Sequence, residues 1–252
     1  MNIVTQIKAW QTIRKQFNTH SLGFIPTMGC LHEGHLSLVD RAKRENDRVV
    51  VSIFVNPTQF NQEQDFLSYP NTLEQDTQLL IERHVDYLFL PQASELYSDH
   101  YSIKISEETL SAELEGAHRP GHFTGMLTVV LKLLNLIQAH RAYFGEKDYQ
   151  QLLLVKKMVE ALFIPTDIMA CDTCRAKNGL ALSSRNTRLS PEQQQHAAHL
   201  FRLLNSELDI NTLQAQLLEL GFKIDYVEEK WQRRLAAVWL DGVRLIDNTK
   251  IR

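Results

Sequence analysis

Two histidines three residues apart, His32 and His35, stand in the run PTMGCLHEGHLSLV at residues 26–39, directly after the apolar stretch LGFIP at 22–26. Gly29 and Gly34 flank the first of them and allow a tight turn and close approach of a phosphate to the backbone. A helix opening near Gly34 or His35 aims its N-terminus, with its free N–H groups and positive dipole end, at the same place. Histidine donors beside a triphosphate stabilise charge on its oxygens as pyrophosphate leaves. Two plainer readings compete. A lone HxxH is usually a pair of loop histidines with local hydrogen bonds. As a zinc site it supplies only two ligands where structural sites use four. The strand–glycine–HxGH–helix context favours a nucleotide.

Three further clusters carry chemistry. VNPTQF at 55–60 offers Asn56 and Gln59, which do not ionise but donate and accept, and so suit a small polyhydroxy acid. Asn-Pro is also a turn starter, and for Asn56 the two readings weigh equally. FGEKDYQQ at 144–151 supplies Gly145 for a turn, Lys147 as a point charge for phosphate oxygens, and Asp148 either to cap a helix or to hold a ribose hydroxyl or Mg²⁺. One of Gln150 and Gln151 is expected to face the ligand. RAKNGLALSSRNTRLS at 175–190 places Ser183, Ser184 and Arg185 in succession, two hydroxyls and a permanently charged fork. Its plain reading is a solvated basic loop.

The surrounding pattern supplies the scaffold. Val4, Ile7, Trp10 and Ile13 fall at helical spacing within residues 3–17. Apolar, β-branched runs at 22–26, 48–55, 86–91, 141–145 and 165–171 read as five buried strands. Helical patterns at 72–84, 124–140 and 148–163 separate several of them. Continuously apolar strands alternating with helices predict an α/β fold, a Rossmann-like parallel sheet covered on both faces. The HxGH turn, VNPTQF and FGEKDYQQ then share the carboxyl edge of the sheet, where such folds bind ligands. Beyond about residue 172 the pattern changes. A helix opens at Ser190 with Pro191 in its first turn, a second covers about 211–220, and strands are expected in FKIDYVE, LAAVWL and VRLID. Residues 1–172 are therefore expected to form a nucleotide- and substrate-binding domain, and 173–252 a small α+β lid.

Composition bounds the rest. The chain has 252 residues, 44% hydrophobic and 23% charged, ordinary for a globular protein, and a net charge of −3. That near-neutral total argues against a general nucleic-acid binder. It also hides a division: −6 over residues 1–172 against +3 over 173–252. The acids of 61–118 read mostly as a solvated face. Arg175, Lys177, Arg185 and Arg188 cluster in the basic part, and the basic loop at Arg185 is expected to close over an anionic nucleotide, so added salt should raise the KM for that nucleotide. Three cysteines fit a reducing compartment rather than a disulfide scaffold. The start of the chain lacks the apolar core of a signal peptide, and Gly125 to Ala139 is too short to span a bilayer. A cytoplasmic protein with no membrane and no nucleic-acid partner is expected.

PTMGCLHEGH resembles the HxGH signature of the nucleotidyltransferase superfamily, and SSR resembles its KMSKS-type loop with Arg in place of Lys. Together PTMGCLHEGH, VSIFVNPTQF, FGEKDYQQ and GLALSSRN, with RPGHFTGMLTVVLKLLN and RLIDN, resemble the pantoate–β-alanine ligase family over nearly the whole chain. The resemblance implies a two-step reaction in pantothenate and coenzyme A biosynthesis. Pantoate and ATP form pantoyl adenylate and pyrophosphate, and β-alanine then displaces AMP. It implies that Met28, Gly29, Cys30, Leu31, His32, Glu33, Gly34 and His35 line the ATP site, His35 with the acid role. Gly145, Glu146, Lys147 and Asp148 follow on the nucleotide, with the Cys174 backbone and Leu182, Ser183, Ser184 and Arg185. Asn56, Gln59 and Gln151 would hold pantoate. His32, His35, Lys147 and Arg185 are the expected catalytic groups. Mg²⁺ would ride with the triphosphate, where an acid near Asp76 could help hold it, and the family is dimeric.

Some residues depart from the family pattern. Cys30, Leu182 and Asn178 replace commoner types, YVEEKW differs from the usual strand, and the stretch between Leu204 and Tyr226 is expected to be short. Cys171 and Cys174 form a CxxC, but with Cys30 as the third thiol of the chain a four-thiolate zinc site cannot form, and both read as small apolar fillers.

Overall fold

The computed structural model describes residues 1–17, 19–60, 66 and 69–251, so Glu63 and Asp65 of the acidic run lie outside the described residues. The chain divides into two compact units. The first comprises Met1–Leu31, His35–Gly145 and Gln150–Cys171; the second comprises His32–Gly34, Glu146–Tyr149 and Asp172–Arg252.

The first unit carries a six-stranded sheet in the order β1-β4-β3-β2-β5-β6. Its strands are β1 Asn2–Val4, β2 Leu22–Thr27, β3 Arg48–Ile53, β4 Tyr87–Phe89, β5 Arg141–Gly145 and β6 Asp167–Cys171, and every pairing is parallel. The principal helices are α1 Ile7–Arg14, α2 Glu33–Glu45, α3 Leu73–Glu82, α4 His122–Ile137 and α5 Tyr149–Ala161. This is the expected Rossmann-like α/β architecture, with one strand more than the sequence pattern predicts. Val4 lies in β1, paired to Phe89, and not in the first helix.

The strand order reverses at β2. From β2 the chain runs through α2 to β3 on one side, while β5 lies on the other. The β2–β5 ladder consists of two residue pairs, Gly23 with Arg141 and Phe24 with Ala142. The carboxyl halves of these strands therefore flank a crevice at the topological switch point, the ordinary ligand position in open α/β sheets. Beneath it lies a core of Ile25, Val39, Val49, Val51, Leu80 and Leu88. Helix α4 comes so close to the turn after β3 that a Cβ at Gly125 would meet the Thr58 carbonyl oxygen at 2.3 Å, so only glycine fits there.

The second unit contains an antiparallel meander of β7 Lys223–Lys230, β8 Arg233–Leu240 and β9 Val243–Lys250. Its helices are α6 Pro191–Ala197, α7 His199–Leu204 and α8 Ile210–Glu219. Ser190 caps α6 in a reciprocal box with Gln193. Leu200, Leu204, Leu213 and Leu217 pack with Val227, Ala236 and Val238 in an apolar cluster.

Candidate active site

In the first unit the turn after β2 is shaped by one carboxylate. Asp76, only 2% exposed in the first turn of α3, accepts the Cys30 N–H on Oδ2 and the Leu31 N–H on Oδ1, each at 2.8 Å. Thr72 Oγ1 donates to the same Oδ2 at 3.1 Å. These bonds hold the chain where Gly29 (φ 82°) and Cys30 (φ 52°) turn left-handed, a conformation costly for a non-glycine residue. The turn delivers the chain into α2, which places His35 in the first helical turn. The sequence singles out no one acid near Asp76 for Mg²⁺; in Asp76 itself both oxygens accept backbone amides, and its work is to shape the loop.

Asn56 also differs from expectation as a direct ligand. It is 1% exposed and all its amide valences are taken. Its Nδ2 donates to Gln59 Oε1 (3.2 Å) and the Gly125 carbonyl (3.1 Å), while Oδ1 accepts from Tyr97 Oη (2.8 Å) and Thr58 Oγ1 (3.1 Å). Asn56 therefore orients Gln59, whose Nε2 lies 2.8 Å from Met28 Sδ. Of the adjacent glutamines, Gln150 is 3% exposed and spends its amide on the backbone of Leu110, Glu113 and Glu115. That leaves Gln151, half-buried at the start of α5, as the one suited to a ligand.

In the second unit, Lys147, Ser183 and Arg185 stand around one small cavity of about 10 Å³, together with Ala181 and Asn186. Lys147 sits in the 3-10 turn Glu146–Asp148 that follows β5, with Asp148 Oδ1 3.8 Å from its Nζ. Ser183 Oγ accepts the Arg185 N–H at 3.3 Å and so opens the turn Ser184–Arg188. The Leu182 N–H donates to the Cys174 carbonyl at 3.0 Å. Four sequence-predicted residues thus lie on one short stretch, positioned by a cap and a backbone bond. Arg175, one of the four clustered basic residues, is committed within its own unit. It pairs with Asp247 through two bonds of 2.6 and 2.9 Å and stacks 3.8 Å over Phe201.

His32 lies in this unit and its pKa is lowered to about 4, first by burial and then by the Lys147 cation, with Asp148 partly opposing. It is neutral at neutral pH. Its Nδ1 accepts the Gly34 N–H at 3.1 Å, which leaves the proton on Nε2. His32 therefore offers a neutral donor and not a second positive charge. Between about pH 6.5 and 4 the unfolded chain binds this proton and the folded chain does not. The stability associated with neutral His32 is present above pH 6.5 and is lost as pH falls toward 4. Denaturant titrations over this window should show His32→Gln with a shallower pH dependence than the parent. Parallel curves would contradict the shift.

Sequence reasoning missed Tyr97, which secures Asn56, and the network around Asn248, whose only signal was the match of RLIDN. The acidic run is less solvated than expected: Asp76 and Glu115 are buried, while Asp86, Asp99 and Glu107 pair with Lys43, Lys132 and Lys157. Cys30, Cys171 and Cys174 are free thiols, and Cys171 packs in the apolar core. Among the described residues no group of three or more His, Cys, Asp or Glu is arranged to hold a metal, and no helix is long and apolar enough to cross a membrane.

Comparison with known proteins completes the picture. The sequence model of the family described as Pantoate-beta-alanine ligase matches residues 2–250. The chain is 48% identical to a pantothenate synthetase of Coxiella burnetii over 246 residues, covering 98% of this chain and 95% of the relative. It is 46% identical to that of Legionella pneumophila over 249 residues, covering 98% and 99%. The fold superposes on the pantoate-beta-alanine ligase of Francisella tularensis, solved with beta-gamma ATP and beta-alanine, with a TM-score of 0.94, 43% identity, and coverage of 100% of this chain and 98% of that one. A pantothenate synthetase from Thermus thermophilus follows at a TM-score of 0.88 and 41% identity, covering 100% and 99%. The chain spans these relatives nearly end to end.

Proposed function

The chain belongs to the pantoate-beta-alanine ligase family, and we infer that it is an ATP-dependent ligase joining pantoate to β-alanine. The observation that carries this reading is the likeness over the whole chain to a pantoate-beta-alanine ligase solved with beta-gamma ATP and beta-alanine, at 43% identity and a TM-score of 0.94.

In the first step a pantoate carboxylate oxygen attacks the α-phosphorus of ATP. The bond to the bridging oxygen breaks and pyrophosphate leaves, giving pantoyl adenylate. In the second step the neutral amine of β-alanine attacks the acyl carbon, AMP leaves with the bonding electrons, and the amine loses a proton. No covalent enzyme intermediate is needed. The protein orients the reactants and stabilises charge that builds on phosphate oxygens. In this reading Lys147 supplies a point charge and Arg185 a planar fork. Neutral His32 donates from Nε2, and His35 acts as the acid. The backbone from Met28 to Leu31, held open by Asp76, approaches the nucleotide. Glu33 and Gly34 open the helix there, and Gly145 and Asp148 with Leu182 and Ser184 complete the nucleotide contacts. Gln59 and Gln151 hold pantoate.

Mg²⁺ enters as the counter-ion of the ATP substrate. It would neutralise charge on the phosphate oxygens, while Asp76, whose two oxygens accept the Cys30 and Leu31 amides, would shape the adjoining turn. The chain is proposed to act as a cytoplasmic homodimer, which sedimentation would test. The adenylate is tested by exchange of labelled pyrophosphate into ATP with β-alanine left out. Exchange that requires pantoate is expected. Exchange without pantoate, or none until β-alanine is added, would contradict the mechanism.

A further inference from the structure

We propose that Asn248, with Arg233 behind it, is the positioning residue for Lys147. This rests on the phosphate-binding role given to Lys147 above. Asn248 is 3% exposed in β9. Both of its amide donors go to one place: Nδ2 donates to the Glu146 carbonyl at 2.9 Å and to the Lys147 carbonyl at 3.0 Å. Its side-chain oxygen Oδ1 accepts from Arg233 Nη1 at 2.6 Å. The other nitrogen of that fork, Nη2, reaches Glu146 Oε2 at 2.5 Å, and the guanidinium lies 4.1 Å over the Tyr149 ring.

Residues 146, 147 and 149 are thus gripped from one side by two side chains of the meander. Peptide carbonyls in a short 3-10 turn have few partners of their own, and the geometry of that turn decides where the Lys147 side chain begins. The grip is itself anchored. Asn248 pairs with Leu235 in the ladder, and its neighbour Asp247 is locked by the two bonds from Arg175. Both Asn248 donors fall on the two peptide units that bracket the lysine. Glu146, expected among the nucleotide contacts, has its carboxylate committed to this support.

Asn248→Asp keeps the shape and removes both donors, turning an acceptor toward two carbonyls. It is expected to lower kcat/KM for ATP roughly 10- to 100-fold, the scale of a misplacement near 1 Å, with the KM for pantoate unchanged. The deciding measurement is the double variant. If Asn248 acts through Lys147, adding Asn248→Asp to Lys147→Ala costs little beyond Lys147→Ala alone. Arg233→Lys, which keeps the charge but loses the fork, provides the same comparison should Asn248→Asp not fold, and its smaller loss should likewise vanish in the Lys147→Ala background. Losses that multiply in full would overturn the proposal while leaving Lys147 catalytic. A near-normal Lys147→Ala would instead overturn the role of Lys147, and this inference with it.

Discussion

Lys147→Ala is expected to slow adenylate formation by about 10² to 10³, the loss typical of removing one fixed group that stabilises developing charge. The lysine is mostly buried, so its ammonium acts with less solvent screening than a surface charge. Asp148 stands 3.8 Å away and neutralises it only in part. The substitution has a second readout that does not depend on turnover. Lys147 is one of the causes that depress the His32 pKa, so removing the cation should move His32 upward from about 4 while burial still holds it below the ordinary value. NMR titration of the imidazole would follow this. A slow variant with an unmoved His32 would mean that the turn had shifted and the charge had not been the issue. His35→Ala is expected in the same range of rate loss, and near-normal turnover would remove His35 from the mechanism.

Asp76→Asn is expected to destabilise the fold by about 1–3 kcal/mol, the cost of leaving a buried donor without its acceptor. One oxygen of the carboxylate survives the change. The other becomes an NH₂ that faces the N–H of Cys30 or Leu31, where the parent has an acceptor at 2.8 Å. The energy is lost at the turn where Cys30 is held with φ 52°, so the turn should relax first. Affinity for ATP should fall more than affinity for pantoate. Denaturation midpoints measure the first effect and substrate KM values the second. An unchanged midpoint would show that Asp76 does not carry the loop.

The sequence made the sheet legible because its inner strands are buried on both faces and read as continuous apolar runs, as in RVVVSI of β3. Strand β1 was hidden for the opposite reason. It is three residues long, and Val4 falls by chance on the helical spacing of Ile7 and Trp10. The phosphate-type groups were legible because Lys147, Ser183 and Arg185 sit in short motifs where residue type states the chemistry. Supporting roles were not. Asn56 looks like a ligand until its four partners are known, and nothing in the pair Gln150–Gln151 says which one faces inward. Arg175 and Asp247 are 72 positions apart. A basic residue paired over that distance reads in sequence as an available charge, so part of the +3 of residues 173–252 is internal structure. The salt dependence expected for ATP binding is then a property of the loop at Arg185 and not of the whole basic stretch.

The most direct test of the central claim is AMP release from ATP by the purified chain, measured with pantoate and β-alanine supplied singly and together. Sustained AMP release only with both, matched one for one by pantothenate and pyrophosphate, is the predicted result. Sustained AMP release with neither acid, or transfer of the nucleotide to another acceptor with no amide formed, would contradict it.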